Sequence, residues 1–499
     1  MNPSETLDAP HHRRAVCWKT GLILAAICLV SAGGYLLFSR LTYRIGFPLD
    51  DAWIHQTYAR NLALRGEWAF IPGKPSGGST APLWSALLAI GFWLRLGPLP
   101  WAYLLGTAAL WGLSVLSERT ALNLVPMYSP RFPWVGTAIA LEWHLAWAAV
   151  SGMETLLYAF LATLVLCLLI SGSRKYFGLG LLAGLTVWVR PDGITLLGPI
   201  ALVLMLSQSN WKSRMRALLF MLLGFGSLFS LYLLFNLTVS GSPLPNTFYA
   251  KQAEYAILME KPFFSRLVGE LLQPLIGVGI ILLLGFLISA FGAIQKRNWG
   301  VVAAVLWLVG FLGLYAWRLP VTYQHGRYVI PGMPIFFLLG LAGIVHIGLH
   351  ATGQQRRLTI LFTNIVVGIL LVLFWVRGAA GYSQDVAFIE SEMVDSARWT
   401  AVNLPLTARV AAHDIGALGY YGNHDLVDLA GLVSPEVIPF LRDETKLASY
   451  LSAQHVNYLI TFPDWYPKLV SGLKPIYSTG GIYSPEAGGT NMSVYQWSP

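Results

Sequence analysis

Charge is scarce in this sequence. Asp, Glu, Lys and Arg make up 11% of its 499 residues, less than half of the roughly 25% usual in soluble domains. Cysteine is scarcer still. Cys17, Cys28 and Cys167 all sit in or beside apolar runs, so neither a disulfide framework nor a Cys-x-x-Cys metal site is available. No internal repeat of the kind many transporters carry is visible. What the chain has instead is apolar bulk: 55% hydrophobic and 13% aromatic residues, more than so few charges could cover in water. A cytosolic enzyme, a disordered chain, a secreted disulfide scaffold and a fibrous repeat are thereby excluded, and a polytopic membrane protein is indicated. The net charge of +9 does not indicate nucleic acid, because the basic residues are scattered in short clusters between apolar runs, where they report topology.

A span needs about 20 apolar residues for a 30 Å hydrocarbon core. Runs near that length predict helices at 19–39, 133–151, 154–171, 216–238, 271–293, 299–317, 329–349 and 358–377. The run 177–208 is too long for one helix and is split by Arg190-Pro191-Asp192-Gly193. In 81–118, Pro98 and Pro100 separate a short piece from a longer one. The clusters Arg13-Arg14 with Lys19, Arg119 with Arg131, Arg174-Lys175, Lys212-Arg214-Arg216, Lys296-Arg297 and Arg356-Arg357 can all be cytoplasmic at once if 81–118 crosses once and 83–96 is re-entrant or interfacial. About eleven transmembrane helices result, with the N-terminus inside as an uncleaved signal anchor. Outside lie a first loop at 40–80 and everything past about 380. Beyond that point the composition turns to that of a soluble module, with a helical pattern at 386–402 and strand-like runs at 409–412, 426–429 and 456–462. The expected fold is an all-α polytopic membrane domain over 1–379 with a small C-terminal α/β extracytoplasmic domain over 380–499.

The first loop carries the densest chemistry. After Asp50-Asp51, the residues Ile54, Tyr58 and Leu62 recur at helical spacing, which predicts an interfacial helix with one apolar stripe. The aspartates at its start suit an N-cap and a first-turn dipole partner. Two adjacent carboxylates at a membrane face equally suit a general base and a metal ligand. Near the outer end of the 133–151 run, Glu142 and His144 are polar groups two residues apart, on different faces of one helix, so they are not expected to pair.

Asp50-Asp51 followed by Tyr58-Ala59-Arg60-Asn61-Leu62, then Gly66, Pro72-Gly73 and Ser79-Thr80-Ala81-Pro82-Leu83-Trp84, resembles the first loop of the GT-C glycosyltransferases, in the branch of the mycobacterial terminal arabinofuranosyltransferase. Further matches follow in order: Ser151-Gly152-Met153-Glu154-Thr155, Arg190-Pro191-Asp192-Gly193, Leu244-Pro245-Asn246-Thr247-Phe248-Tyr249-Ala250-Lys251, Arg327-Tyr328 with Pro331 and Pro334, and Asp414-Ile415-Gly416-Ala417-Leu418-Gly419-Tyr420. The resemblance spans nearly the whole chain.

It implies a GT-C fold and inverting transfer of a hexosyl or pentosyl group from a polyprenyl-phosphate donor to a cell-envelope acceptor outside a bacterial cytoplasmic membrane. A phosphodiester leaving group is a weak base, so the demands are a base for the acceptor hydroxyl and cations for the departing phosphate. The implied catalytic pair is Asp50 and Asp51, with Asp50 preferred as base although the sequence does not order the two. Arg327 is the leading phosphate ligand, with Lys251, Arg190 and His325 beside it, since guanidinium offers a planar fork of donors. Glu154, Tyr58 and Asp414 are candidates for acceptor or metal support, and Asp51 with Glu154 for a divalent cation, Mg²⁺ or Mn²⁺. The partners are then the lipid-linked donor, membrane lipid and an envelope acceptor, and not nucleic acid. Two rival functions remain: a transporter or flippase of lipid-linked saccharides, and a non-catalytic glycan-binding membrane protein. The clustering of motifs at one membrane face, away from mid-bilayer, speaks against the transporter, and Asp50-Asp51 would have no purpose in the glycan-binding protein.

Overall fold

The computed structural model describes residues 17–497, so Arg13 and Arg14 lie outside the described residues, as do the side chains of Arg356 and Arg357. Among the described residues, six helices are long and apolar enough to cross a membrane: Trp18–Thr42, Pro98–Leu124, Trp211–Ser240, Trp299–Arg318, Tyr323–His350 and Thr363–Asn403. A seventh candidate is the pair Phe263–Leu275 and Gly279–Gln295, which meet at 100°. Four further apolar helices, Pro82–Trp93, Thr155–Ile170, Tyr176–Val189 and Pro191–Ser207, are shorter than a span usually requires. The expected count of eleven therefore depends on these short helices. The chain is a multi-pass membrane protein.

Two sequence expectations fail here, both for local reasons. The run 133–151 is not one helix. It breaks at Glu142, whose ψ of 125° leaves the helical region, into Trp134–Leu141 and Trp143–Ala149. Glu142 then caps the second piece by accepting from the Leu145 amide at 3.1 Å, and its other oxygen meets His144 Nδ1 at 2.8 Å. The two polar residues do pair, because Glu142 stands just outside the helix whose first turn holds His144. The second failure concerns the first loop. Its helix, Asp51–Arg65, forms, but residues 52–59 and Asn61 are all buried. It is a core helix, covered on one side by Pro82–Trp93 and on another by Gly416–Tyr421. The apolar stripe alone could not reveal this, since polar side chains of the other face find partners inside the protein: Asn61 donates to the carbonyls of Ala69 and Phe70, and His55 meets Ser85 Oγ at 3.0 Å.

A short hairpin, β1 (Ala69–Ile71) and β2 (Lys74–Pro75), closes the first loop. The long helix Gly353–Ile389 runs without a break across position 380, continues through a π turn at Glu390–Val394, and ends at Asn403. It delivers the chain to a five-stranded sheet made of β3 (Arg409–Ala412), β4 (Asp425–Asp428), β5 (Tyr458–Thr461), β6 (Pro475–Ser478) and β7 (Ser493–Gln496), in the order β4-β3-β5-β7-β6. Strands β3, β4 and β5 are parallel, connected through the helices Gly416–Tyr421 and Glu444–Ala453, while β6 and β7 run antiparallel. The sheet is seated on one end of the helical bundle. Arg44 at the end of the first helix pairs with Glu390 at 2.7 Å and Asp395 at 2.6 Å, and Arg60 donates to the carbonyls of Gly419 and Tyr420 at the end of the Gly416–Tyr421 helix.

Candidate active site

Between the sheet and the bundle lies a cavity of about 990 Å³. Asp50 and Asp51 enter it from the start of the buried first-loop helix, Lys251 from the helix Asn246–Glu254, Arg327 from the segment before Met333–His350, and Asp414 from the turn after β3. These five are the sequence candidates that the fold brings together.

Asp51 organises the cations. Its Oδ2 lies 3.1 Å from Lys251 Nζ and 2.8 Å from Arg327 Nη2. Burial pushes its carboxyl up, but the Lys251 ammonium and the Arg327 guanidinium outweigh this and hold it well below the usual carboxylate range. A carboxylate so stabilised is a poor proton acceptor and is suited to holding the two cations in place. Arg327 is 6% exposed. Its Nη2 also donates to Tyr328 Oη at 3.0 Å, yet its Nε and Nη1 have no partner among the described residues. Buried guanidinium donors without partners are costly; Nε and Nη1 open on different edges of the plane, and anionic oxygens placed along those edges would satisfy them. Just upstream, Gln324, His325 and Gly326 have φ of 53°, 58° and 64°. Two non-glycine residues in the left-handed region mark a backbone held against its preference, as segments that place functional groups often are.

Asp50 is held quite differently. It does not cap its own helix. Its Oδ2 accepts from the Gly416 amide at 2.6 Å and its Oδ1 from the Ala417 amide at 2.8 Å, joining the first loop to the first turn after β3, 366 residues away. Burial, with the Asp414 carboxylate second, raises its pKa against the opposing pull of those amides. Asp414 is likewise pushed up by burial, and its Oδ2 has no partner among the described residues. Each oxygen of Asp50 keeps a second lone pair, so it can accept a proton while remaining anchored. A β-carbon at Gly416 would press on the Asp50 carbonyl oxygen and carboxylate. Gly416→Ala is therefore expected to cost about 1–3 kcal/mol in a melting experiment and to lower turnover at least about tenfold. Gly310→Ala, where the added carbon meets nothing within 4 Å, is the control and should change neither.

The remaining candidates lie elsewhere. Arg190 is not in the cavity wall: it pairs with Asp192 at 3.3 Å and donates to Tyr315 Oη at 2.6 Å. Glu154 is spent in the same buried network, 3.5 Å from His55 Nε2 and 4.0 Å from Arg190 Nη1. Tyr58 is packed inside the first loop, bonded to Ser76 Oγ at 2.7 Å and accepting from the Gly78 amide. His325 turns toward Asp385, Nε2 to Oδ2 at 2.8 Å, and Trp147 Nε1 donates to the same oxygen at 3.0 Å. A divalent cation does not fit the proposed pair, since Asp51 is occupied by two cationic side chains and Glu154 lies outside the cavity. Among the described residues no group of three His, Cys, Asp or Glu side chains is placed to hold a metal.

Sequence reasoning missed Glu254, Asp385, His413, Trp465 and Tyr466, all of which but His325's partner Asp385 cluster toward the sheet, and all of which line the cavity. Glu254 had a signal, as it falls three residues after Lys251 on the same helix face. Asp385 had none, being one polar residue in a segment that reads as ordinary helix.

A family model described as a domain of unknown function (DUF8728) matches residues 382–495. The terminal beta-(1->2)-arabinofuranosyltransferase of Mycobacterium tuberculosis is 26% identical over 431 residues, covering 77% of this chain and 66% of that protein, just under two thirds of its length. Among solved structures, ArnT from Cupriavidus metallidurans in the apo state superposes with a TM-score of 0.57 at 15% identity, over 96% of this chain and 98% of its own. The same protein bound to undecaprenyl phosphate gives 0.54 at 14% over the same shares. The oligosaccharyltransferase of Archaeoglobus fulgidus gives 0.60 at 12% identity, over 89% of this chain and 68% of its own. The relative and these structures all belong to the GT-C superfamily, and the chain shares its fold.

Proposed function

We propose that the protein transfers a sugar from a polyprenyl-phosphate donor to a hydroxyl of a cell-envelope acceptor, at the end of the bundle that faces out of a bacterial cytoplasmic membrane. The observation that carries this reading is the buried Arg327 guanidinium, with two unpartnered donors, set beside Lys251 in a cavity that also holds a carboxylate of raised pKa. The cations suit a phosphate and the carboxylate suits an attacking hydroxyl. The arabinofuranosyltransferase relative and the undecaprenyl phosphate bound by ArnT support the donor class.

In the proposed step the acceptor oxygen attacks the anomeric carbon from the face opposite the phosphate, and its proton passes to Asp50. The bond from the anomeric carbon to the phosphate oxygen breaks, and polyprenyl phosphate departs with the electron pair. Arg327 and Lys251 meet the developing charge, held in register by Asp51. Displacement from the opposite face inverts the anomeric centre. The test is to supply purified protein in lipid nanodiscs with polyprenyl-phosphate arabinofuranose and polyprenyl-phosphate hexoses, together with glycan acceptors. Release of polyprenyl phosphate coupled to acceptor extension is expected with one donor, and no release with any of them would overturn the proposal.

A further inference from the structure

The sheet approaches the cavity with the carboxyl ends of its parallel strands. His413 and Asp414 follow β3, Ala430 and Leu432 follow β4, Trp465 and Tyr466 follow β5, and all six line the wall. The chain lays β4 on one side of β3 and then returns to lay β5 on the other. In open parallel sheets this reversal leaves a crevice between the two strand ends, and ligands bind there. Here the crevice is spanned by a bond from Tyr466 Oη to His413 Nδ1 of 2.7 Å.

What the crevice presents narrows its ligand. Trp465 is 48% exposed, and its ring is fixed by Phe462 at 5.0 Å and by the edge of His413 at 5.2 Å. Asp414 offers an oxygen that has no partner among the described residues. Glu254 reaches in from the bundle, 3.6 Å from His413 Nε2. A phosphate-bearing ligand is disfavoured. The helix N-terminus that would receive it, Gly416–Ala417, already holds the Asp50 carboxylate, and Asp414 and Glu254 add negative charge. A fixed aromatic face flanked by carboxylate acceptors is suited to a neutral ring with one apolar face and a rim of hydroxyls, which is a sugar.

We propose that this crevice is the acceptor subsite, in which a sugar residue of the acceptor glycan stacks on Trp465 and donates its hydroxyls to Asp414 and Glu254. The inference rests on the transfer reading above and deepens it, dividing the cavity into a cationic donor side and an aromatic, acidic acceptor side.

The experiment uses the full chain in nanodiscs with two probes, an octyl-capped arabinofuranose disaccharide and an octyl-capped mannose disaccharide. Trp465→Leu keeps apolar bulk against Phe462 but removes the flat face, and Trp465→Phe restores a smaller one. Trp465→Leu should raise the acceptor KM about tenfold, the range of one aromatic stacking contact. Trp465→Phe should recover most of that loss, and affinity for polyprenyl phosphate should stay within about twofold in both. In saturation-transfer NMR, which needs no turnover, the disaccharide signal seen with the wild type should fade with Trp465→Leu. An unchanged KM and an unchanged NMR signal in Trp465→Leu would overturn the subsite while leaving the transfer reading intact. Trp465-dependent binding without transfer from any donor would instead sink the transfer reading and keep the subsite. Binding of neither disaccharide to the wild type would overturn the subsite.

Discussion

Asp50→Asn should lower turnover by about 10² to 10⁴, the usual contribution of a general base. The variant is informative because of what Asp50 touches. Both of its oxygens accept backbone amides, so an asparagine must turn its own NH₂ toward one of them. One bond becomes a donor–donor clash, expected to cost about 1–3 kcal/mol. A purely structural aspartate would therefore lose stability and activity in proportion, and both would recover together in a lipid or at a temperature that restores folding. A base would leave a folded, donor-binding protein that stays slow. Thermal melts and polyprenyl phosphate affinity, measured beside turnover, separate the two; full activity in Asp50→Asn would end the assignment. The pH profile gives a second handle. Because burial and the neighbouring Asp414 raise the pKa of Asp50, activity should fall with acidification while the pH is still above the ordinary carboxylate range, as the base takes up its proton. That limb belongs to the coupled Asp50–Asp414 pair. For stability the sign is opposite: an acid whose folded pKa is raised contributes stability fully below its unfolded pKa, and this is lost as pH rises through the folded value.

Arg327→Ala is expected to weaken the affinity for polyprenyl phosphate by about 10² to 10⁴, because two charge-assisted bonds to phosphate are removed at about 1.5–3 kcal/mol each. The deletion also releases one of the two cations on Asp51, leaving Lys251 at 3.1 Å to hold that carboxylate alone. Arg327→Lys should rescue only in part, since an ammonium keeps the charge and loses the planar fork. Isothermal titration of nanodisc-embedded protein with polyprenyl phosphate is the measurement. Affinity within threefold of wild type in Arg327→Ala would place the phosphate elsewhere in the cavity.

How much of this could be read from the chain depends on whether the deciding interactions are local. The strands β3, β4 and β5 fall within two residues of the runs picked out at 409–412, 426–429 and 456–462, since a short β-rich run between turns carries its own signal. The break between Val189 and Pro191 was legible for the same reason. Glu142 was misread because helix periodicity assumes an unbroken helix, and the residue that breaks it is neither proline nor glycine. In the site, Asp51, Lys251 and Arg327 were singled out one at a time, but their convergence is a long-range fact, with 200 residues between the first two. Arg190 and Glu154 were misplaced for a related reason. A buried ion network and a ligand site draw on the same residue types, and only geometry shows that these two already satisfy each other through His55, Asp192 and Tyr315.

The anchoring of Asp50 by Gly416 and Ala417 also sets a timetable for biogenesis. A ribosome makes residue 50 early and its two amide partners only after more than 360 further residues have been added. Until that later segment has been made and seated, the carboxylate lacks its holders and the sheet side of the cavity does not exist. A nascent chain thus acquires Lys251 and Arg327 well before the two amides that hold Asp50 exist.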